Sequence, residues 1–213
     1  MAEYITCYSE KPNPKHLQKT VKILENGGLV IFPTDTVYAL CCLSNNSKAL
    51  EKFSKIKGVK LQHAPLSFLF QDIREISKIV APLNSQTFKL IKRLLPGPYA
   101  LILNAVQKLP KPFEKRKTIG VRISNHSFLK SLLPLLKAPL ITSSLHDTDK
   151  ILDYTTDPEA IFEQWVSKID LMISDGYGSN IPSTVLDLSV KPFKLIREGA
   201  GKFNFNKFNQ FER

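Results

Sequence analysis

The sequence lacks the two glycine-rich motifs by which phosphate sites are most often recognised. Its 213 residues contain neither G-x-x-x-x-G-K-[ST] nor G-x-G-x-x-G, and only nine of them are glycine. These absences argue against a P-loop and against a Rossmann-type phosphate cradle. A phosphate site in this chain would therefore have to rest on side chains.

Other absences narrow the class of protein further. No apolar run approaches the roughly 20 residues of a membrane span, and the N-terminus has no basic segment followed by an apolar one, so a cytoplasmic protein is expected. Cys7, Cys41 and Cys42 lie in apolar surroundings without metal-ligand spacing, which predicts reduced core residues and no metal site. The chain also has no RNP-like aromatic pair, no GXXG loop and no arginine-rich tract.

What the chain does have is positive charge. Thirty Lys and Arg against nineteen Asp and Glu leave a formal charge of +11, and the sequence pI is near 9.5. With 43% hydrophobic and 23% charged residues, the composition is that of an ordinary globular protein. Such a field attracts phosphates, whether of a nucleotide or of RNA, and it does not say which.

Hydrophobic periodicity predicts alternating helices and strands without a linker between two halves. The predicted helices run from about 14 to 26, over 47–57, 72–80, 85–95 and about 126–137, and from about 156 through Trp165. The predicted strands lie at 29–31, 65–70, 99–103, 118–123, 139–142, 171–173, 184–186 and 193–196. We therefore expect one α/β domain over residues 1–213, with an irregular C-terminal tail at 202–213.

The most informative segment is residues 32–40 (FPTDTVYAL), which follows the predicted strand at 29–31. A strand that ends in proline and continues as Thr-Asp-Thr presents hydroxyls and backbone N–H groups, as small-molecule sites require. The alternative is a proline turn in which a Thr or Asp side chain caps the next element. The first hydroxyl in this segment belongs to Thr34.

Basic residues follow at the end of the predicted helix over 47–57. Lys55 and Lys57 lie in its last turn, and Lys60 lies in the loop after it. These side chains could bind phosphate, or they could form an ordinary solvated helix end that complements the helix dipole. The local sequence leaves both interpretations open.

The strand at 118–123 carries an arginine among apolar residues. Because side chains alternate along a strand, Thr118, Gly120 and Arg122 should share one face. An arginine is costly to bury without an anionic partner, so Arg122 predicts either a bound anion or an internal salt bridge.

Two later segments add hydroxyls and a second arginine. Residues 142–146 (TSSLH) place Thr142 and Ser144 at a strand end, where hydroxyls suit ribose, phosphate or amino groups; His146 is interpreted as a surface histidine. Residues 181–187 and 197–201 contribute Ser183 and Arg197. A turn cap and a surface ion pair are the alternatives for these two residues.

These segments, together with the Pro-Gly-Pro turn at 96–98, resemble the YrdC-like threonylcarbamoyl-AMP synthases, most closely the YciO branch of that family. The resemblance runs from about residue 14 to 201, and the likeness to YciO is strongest over 115–201, including 170–178. It implies a single-domain twisted α/β sheet with helices around a basic central concavity. Two departures stand out: the arginine of the family's Lys-x-Arg pair is replaced by Val59 or, with a shift of one residue, by Lys60, and His146 replaces an asparagine.

The resemblance also implies an activity. A nucleotidyltransferase of this type joins L-threonine, bicarbonate and ATP into threonylcarbamoyl-AMP and pyrophosphate, for the modification of adenosine 37 in tRNA. Its ATP would bring Mg²⁺, held mainly by phosphates and water, and other tRNA-modification proteins would be partners. The implied catalytic residues are Lys57 and Arg122; the implied ATP-binding residues are Lys57, Lys60, Thr118, Ser144 and Arg197; the implied threonine-binding residues are Thr34, Arg122, Thr142 and Ser183.

Two alternatives stay open at this point. One is a protein of the same fold that binds double-stranded RNA or tRNA, since the charge is +11. The other is a divergent enzyme of the same fold that acts on another carbamoyl or nucleotide substrate, as the two altered segments suggest.

Overall fold

Ten strands form one mixed sheet in the part of the chain that is described. The computed structural model describes residues 2–7, 11–106, 109–145 and 156–202. The strands are β1 (Glu3–Thr6), β2 (Val30–Phe32), β3 (Ala39–Leu43), β4 (Ser67–Leu69), β5 (Tyr99–Asn104), β6 (Thr118–Arg122), β7 (Leu140–Ser144), β8 (Leu171–Ser174), β9 (Thr184–Asp187) and β10 (Lys194–Arg197). They pair in the order β1-β8-β2-β3-β7-β4-β6-β5-β9-β10. The predicted α/β fold with a central sheet is confirmed.

The helices begin where the sequence supplies a capping side chain. They are α1 (Pro14–Glu25), α2 (Ser47–Lys57), α3 (Ile73–Ile76), α4 (Ser85–Leu94), α5 (Ser127–Leu132) and α6 (Pro158–Trp165). Before each helix, a side chain accepts a hydrogen bond from a backbone N–H of the first turn, which satisfies a donor that has no partner within the helix. The caps are Asn13, Asn46, Asp72, Asn84, His126 and Asp157.

The helix predicted over 72–80 is shorter than expected. It ends at Ile76, and Val80 instead forms a β-bridge with Ala105. The extended chain that this bridge requires is incompatible with a further helical turn, so the prediction was wrong at the C-terminal end of this helix.

The helix predicted over about 126–137 also ends early. The α-helical part stops at Leu132 and is followed by a 3₁₀ turn over Leu133–Leu135. Pro134 explains the break, because proline has no N–H for the helix ladder and its ring clashes with the preceding turn.

The sequence analysis assigned no strand to β1 or β3. Two residues of β1 are exposed and two are half-buried, so the strand has no clear apolar pattern. It is recognised by its parallel pairing with β8. All five residues of β3 are buried, so the alternation of a half-exposed strand is absent. Because β3 pairs with β2 and β7 near the middle of the sheet, the segment that follows residues 32–38 lies in the core.

The two faces of β5 and β6 carry different side chains. The residues that point into the main hydrophobic core are Leu101, Leu103, Ile119 and Val121. The residues on the opposite face line a cavity and are Ala100, Ile102, Thr118, Gly120 and Arg122. The predicted common face of Thr118, Gly120 and Arg122 is therefore confirmed, and the sheet places these residues at the site described next.

Candidate functional site

A cavity of about 440 Å³ lies over the middle of the sheet. Its walls come from segments far apart in the sequence, including the end of α2, the loop after it, and strands from β3 to β10. The cations that line it are Lys57, Arg116, Arg122 and Arg197, and the hydroxyl side chains are Ser67, Thr118, Thr142, Ser143, Ser144 and Ser183. Among the described lining residues there is no carboxylate. The cavity is therefore suited to an anionic ligand.

Small side chains on the sheet leave the space for this cavity. Ser67 of β4 pairs with Gly120 of β6 on one side and with Thr142 of β7 on the other. A Cβ atom added at Gly120 would lie 2.9 Å from both Leu66 O and Ser67 Oγ, so no side chain fits there without a shift of β4. The glycine is needed for close strand packing below the ligand space.

Arg122 lies at one end of the cavity and forms a buried ion pair. It is 8% exposed, and its Nη2 donates to Asp35 Oδ1 at 3.0 Å and to Thr36 Oγ1 at 3.2 Å. Burial lowers the pKa of Arg122, and the carboxylate of Asp35 opposes that shift. The internal salt bridge predicted as one alternative is therefore present. Arg122 also lines the cavity, and its binding of an anion stays a prediction.

The Arg122–Asp35 pair is not fully satisfied by the protein. Arg122 Nε and Asp35 Oδ2 are both buried, and neither has a hydrogen-bond partner in the described chain. Buried polar atoms are nearly always paired, so two orphaned atoms of opposite type at one position indicate a place for a further polar group.

A hydrogen-bond chain extends from Asp35 to the rim of the sheet. Ser124 donates its hydroxyl to Asp35 Oδ1 at 2.9 Å, and the backbone N–H of His126 donates to the Ser124 oxygen at 3.2 Å. His126 Nδ1 accepts from Phe128 N, which leaves the proton on Nε2 for Asp175 Oδ2 at 3.0 Å. The chain holds Asp35, and through it Arg122, in one orientation.

His126 should make the stability of the protein depend on pH. Burial lowers the pKa of its imidazole below the ordinary 6.5, so the unfolded state binds more protons than the folded state just below that pH. Stability should be complete above about pH 6.5 and fall as the pH decreases further. In urea unfolding, His126→Asn should flatten this slope by up to about 1.4 kcal/mol per pH unit, since asparagine still caps α5.

The exposed His63 provides the matched control for that experiment. His63→Asn makes the same chemical change at an exposed position and measures what the exchange of histidine for asparagine does by itself. An unchanged slope in His126→Asn would show that His126 does not titrate in this range.

Lys57 lies at the end of α2 and points into the cavity. It is 8% exposed, and its Nζ donates to the backbone oxygen of Ser144 at 3.1 Å. Gly58 ends the helix with φ of 64°, a left-handed conformation that favours glycine. Lys57 is therefore not part of a solvated helix end. Val59, one of the two candidates for the position of the arginine in the Lys-x-Arg pair, lines the same cavity.

Lys60 is exposed and lies outside this cavity. It lines a neighbouring groove together with Lys55 and Lys111. The structure thus separates Lys60 from Lys57, and the ATP-binding role predicted for Lys60 remains a prediction without support from the geometry.

Arg197 and Ser183 close the cavity near Arg122. Arg197 donates Nε and Nη2 to the backbone oxygen of Ser183, at 3.3 and 3.1 Å. The Ser183 hydroxyl is hydrogen-bonded to Thr36 Oγ1 at 3.2 Å, and Thr36 in turn contacts Arg122. The structure thus brings together three residues that were predicted separately, Arg122, Ser183 and Arg197, and Thr36 links the first two.

Thr34 has a structural contact that the proline-turn interpretation anticipated. Its hydroxyl donates to Val37 O at 2.7 Å and accepts from Thr36 N at 3.1 Å. Thr34 is not among the lining residues, so its geometry positions Thr36 for the cluster. Its predicted contact with threonine remains a prediction.

The other predicted site residues have mixed positions. Thr118, Thr142 and Ser144 all line the cavity. His146 and the tail from residue 203 onward lie outside the described residues.

All three cysteines are buried. Burial raises the pKa of the Cys41 thiol, next to Thr142, to about 12, so this thiol is not a nucleophile.

Sequence reasoning missed several residues of the site. Asp35, Thr36, Ser124 and Arg116 received no role, although Asp35 and Thr36 lie inside the segment singled out at 32–40. A signal existed for Asp35, since a buried arginine requires a carboxylate or a ligand. Nothing in the sequence showed which of the nineteen acidic residues would supply it.

Among the described residues, no group of three or more His, Cys, Asp or Glu is placed to hold a metal ion. None of the described helices has the length and apolar character needed to cross a membrane.

Comparison with known proteins places this geometry in a family. The Sua5/YciO/YrdC family model, described as "telomere recombination", matches residues 22–199. The chain belongs to this family. YciO of Escherichia coli K12, itself uncharacterised, is 30% identical over 204 residues, covering 94% of this chain and 97% of YciO. The human threonylcarbamoyl-AMP synthase is 29% identical over 198 residues, covering 86% of this chain and 67% of that enzyme.

Solved structures of family members have the same fold. The crystal structure of E. coli YciO matches with a TM-score of 0.84 at 30% identity, over 95% of this chain and 98% of that one. Sua5 of P. abyssi in complex with L-threonine matches with a TM-score of 0.81 at 25% identity, over 92% of this chain and 57% of Sua5. The Sua5/YciO/YrdC chain described here therefore has relatives named as enzymes, and one solved with an amino acid bound.

Proposed function

We propose that this protein is a threonylcarbamoyl-AMP synthase, which condenses L-threonine, bicarbonate and ATP to threonylcarbamoyl-AMP and pyrophosphate. The observation that carries the proposal is the cavity itself. It gathers Lys57, Arg122 and Arg197 around one space, with hydroxyls from three strands and from the residue before β9. Three cations from separate segments make physical sense together around a shared anionic ligand.

The end of the cavity at Arg122 fits the amino acid. A guanidinium is complementary to a planar carboxylate, and the orphaned Nε shows that Arg122 retains a donor after it has paired with Asp35. Ser183 and Thr142 offer hydroxyls nearby for the polar groups of threonine. In this proposal Arg122 binds the carboxylate and thereby orients the amine.

The remaining cations and hydroxyls fit ATP. Lys57 and Arg197 would neutralise phosphate charge, and Thr118 and Ser144 would donate hydrogen bonds to the nucleotide. Mg²⁺ would supply further charge neutralisation on the phosphates. Since the described residues form no metal-ligand cluster, it would enter with ATP and be held by phosphates and water.

The reaction requires positioning and charge neutralisation more than a strong base. The threonine amine and CO₂ from bicarbonate form a carbamate with net loss of water. A carbamate oxygen then bonds to the α-phosphorus while the bond to the bridging oxygen breaks, and pyrophosphate leaves with the bonding electrons. The protein groups that face this step hold the two reactants in one cavity and stabilise the negative charge of the leaving group.

Pyrophosphate release tests the proposal. It should require ATP, L-threonine and bicarbonate together and stop when any one is omitted. Lys57→Met should lower the rate on the order of 10²-fold, because a charge contact to the transition state is lost. Lys55→Met is the matched control, since Lys55 lies on the same helix but outside the cavity, and its rate should equal that of the parent protein.

Other outcomes would favour the alternatives. No pyrophosphate, with RNA affinity that ignores ATP and falls by about 10³–10⁵ between 50 and 200 mM salt, would indicate an RNA-binding protein. Pyrophosphate release that depends on another amine and not on threonine would indicate a divergent enzyme, which fits the replacement of the family's arginine by Val59 or Lys60.

A further inference from the structure

Arg116 is a cation of the cavity to which no role has been assigned. It lines the wall beside Thr118, just before β6 begins, and is half-buried. Its Nε donates to Leu61 O at 3.0 Å, and its Nη2 donates to Leu61 O at 2.8 Å and to Ala64 O. These contacts hold the loop between α2 and β4 against the segment that leads into β6.

The charge of Arg116 has no counterion in the described chain. Its partners are neutral carbonyl oxygens, and no hydrogen bond from Nη1 joins the described residues. Burial lowers the pKa of this guanidinium, which reflects the cost of holding the charge there. Arg122, in contrast, already faces the carboxylate of Asp35 at 3.0 Å. Uncompensated positive charge therefore lies at the Arg116 end.

The two arginines are well separated along β6. From Thr118 to Arg122 the strand rises by about 13 Å, and Arg116 precedes Thr118 by two residues. Arg122 and Arg197 lie together near Ser183 at the far end. The lining of the cavity therefore extends along most of β6, so that a polyphosphate can lie with one end at Arg116.

We propose that Arg116 binds the terminal phosphates of the nucleotide, so that this arginine makes the site prefer a triphosphate over a monophosphate. The inference rests on the proposed function only in taking the ligand as a nucleotide. The guanidinium fork is held in place by Leu61 and Ala64, and Nη1 is left to donate to phosphate oxygens. Arg116 also positions the loop between α2 and β4. Val59 of this loop lines the same cavity but carries no charge.

Calorimetric titrations of inorganic tripolyphosphate, ATP–Mg²⁺ and AMP at constant ionic strength test this assignment. Arg116→Gln should weaken tripolyphosphate and ATP binding at least about tenfold, the loss expected for one charge-assisted contact, and leave AMP binding within about twofold. Lys117→Gln removes the same charge from the adjacent, exposed residue and should change none of the three affinities.

Arg116→Lys separates phosphate binding from loop fastening. Lysine keeps the charge but loses the fork that bonds two carbonyls, so most of the tripolyphosphate affinity should survive. If Arg116→Lys and Arg116→Gln lose ATP and AMP affinity equally, Arg116 acts only through the loop and the inference is wrong. Should Arg116→Gln fail to fold, Arg116→Lys decides alone: a loss of about two- to fivefold for tripolyphosphate and ATP but not for AMP supports the inference, and an equal loss for all three ligands, or no loss, overturns it.

The test also separates this inference from the proposed function. An Arg116-dependent preference for ATP over AMP, with no pyrophosphate released from ATP, L-threonine and bicarbonate, would overturn the synthase and keep the subsite. Tight ATP binding that is unchanged in both Arg116 variants would overturn the subsite and leave the synthase standing.

Discussion

Asp35→Ala is expected to destabilise the protein by about 3–5 kcal/mol, because it leaves Arg122 as a buried charge without its carboxylate. The side chains of Asp35 and Arg122 are 11% and 10% exposed, so water can replace little of the lost interaction. Ser124 also loses its acceptor. Asp35→Asn should cost less, since an amide oxygen can still accept from both Arg122 and Ser124.

Chemical denaturation of the variants measures this cost, and the exposed ion pair of Lys19 and Glu3 gives the matched control. Both of those side chains are 47% exposed, so Glu3→Ala should lower stability by less than about 1 kcal/mol. High concentrations of L-threonine should restore part of the stability of Asp35→Ala, because its carboxylate would replace the missing anion beside Arg122. If Asp35→Ala lowers the stability no more than Glu3→Ala does, the ion pair between Arg122 and Asp35 does not organise the site.

Arg122→Lys is expected to weaken L-threonine binding by about 1–3 kcal/mol, or roughly 5- to 150-fold, while ATP binding changes much less. Lysine preserves the charge but is a point donor that cannot grip a carboxylate with two parallel hydrogen bonds. It also cannot hold Asp35, Thr36 and a ligand at once in the way that the guanidinium does. Titration of each ligand into the variant measures the two effects separately.

Arg93→Lys makes the same chemical change at an exposed position on α4 and should leave both affinities unchanged. If Arg122→Lys loses threonine and ATP binding together, and its melting temperature falls as well, Arg122 is a structural residue and does not bind the carboxylate.

Much of the fold could be predicted because local signals agreed with one another. In α2, Leu50 and Phe53 are buried on one face as their spacing predicted, and Gly58 ends the helix with a positive φ. The strands with clear apolar runs were found for the same reason. The two strands that were not predicted lack an alternating apolar pattern. All of β3 is buried, and β1 is recognised mainly by its pairing with β8.

The site could be predicted only in part, because its pairings connect distant residues. The strand period placed Thr118 and Arg122 on one face, and hydroxyls at strand ends pointed to Thr142 and Ser144. The partner of Arg122, in contrast, lies 87 residues away at Asp35. Such a contact depends on how β6 packs near the turn after β2, which no spacing within one segment can show.

The loop after α2 shows the same limit. Lysines at the end of a helix look alike in the sequence, yet Lys57 is buried in the cavity whereas Lys60 is exposed in the neighbouring groove. The direction of each side chain is fixed by the left-handed turn at Gly58 and by Arg116, which bonds to the loop from more than fifty residues away.

Mass spectrometry of the product formed from ¹³C-bicarbonate shows whether the protein makes threonylcarbamoyl-AMP. The protein, incubated with ATP–Mg²⁺, L-threonine and labelled bicarbonate, should form threonylcarbamoyl-AMP whose carbamoyl carbon carries the label, in step with pyrophosphate. Arg122→Lys should form it much more slowly at low threonine, and Arg93→Lys should match the parent protein. ATP that is consumed without a labelled adenylate, or converted to ADP and phosphate, would contradict the account.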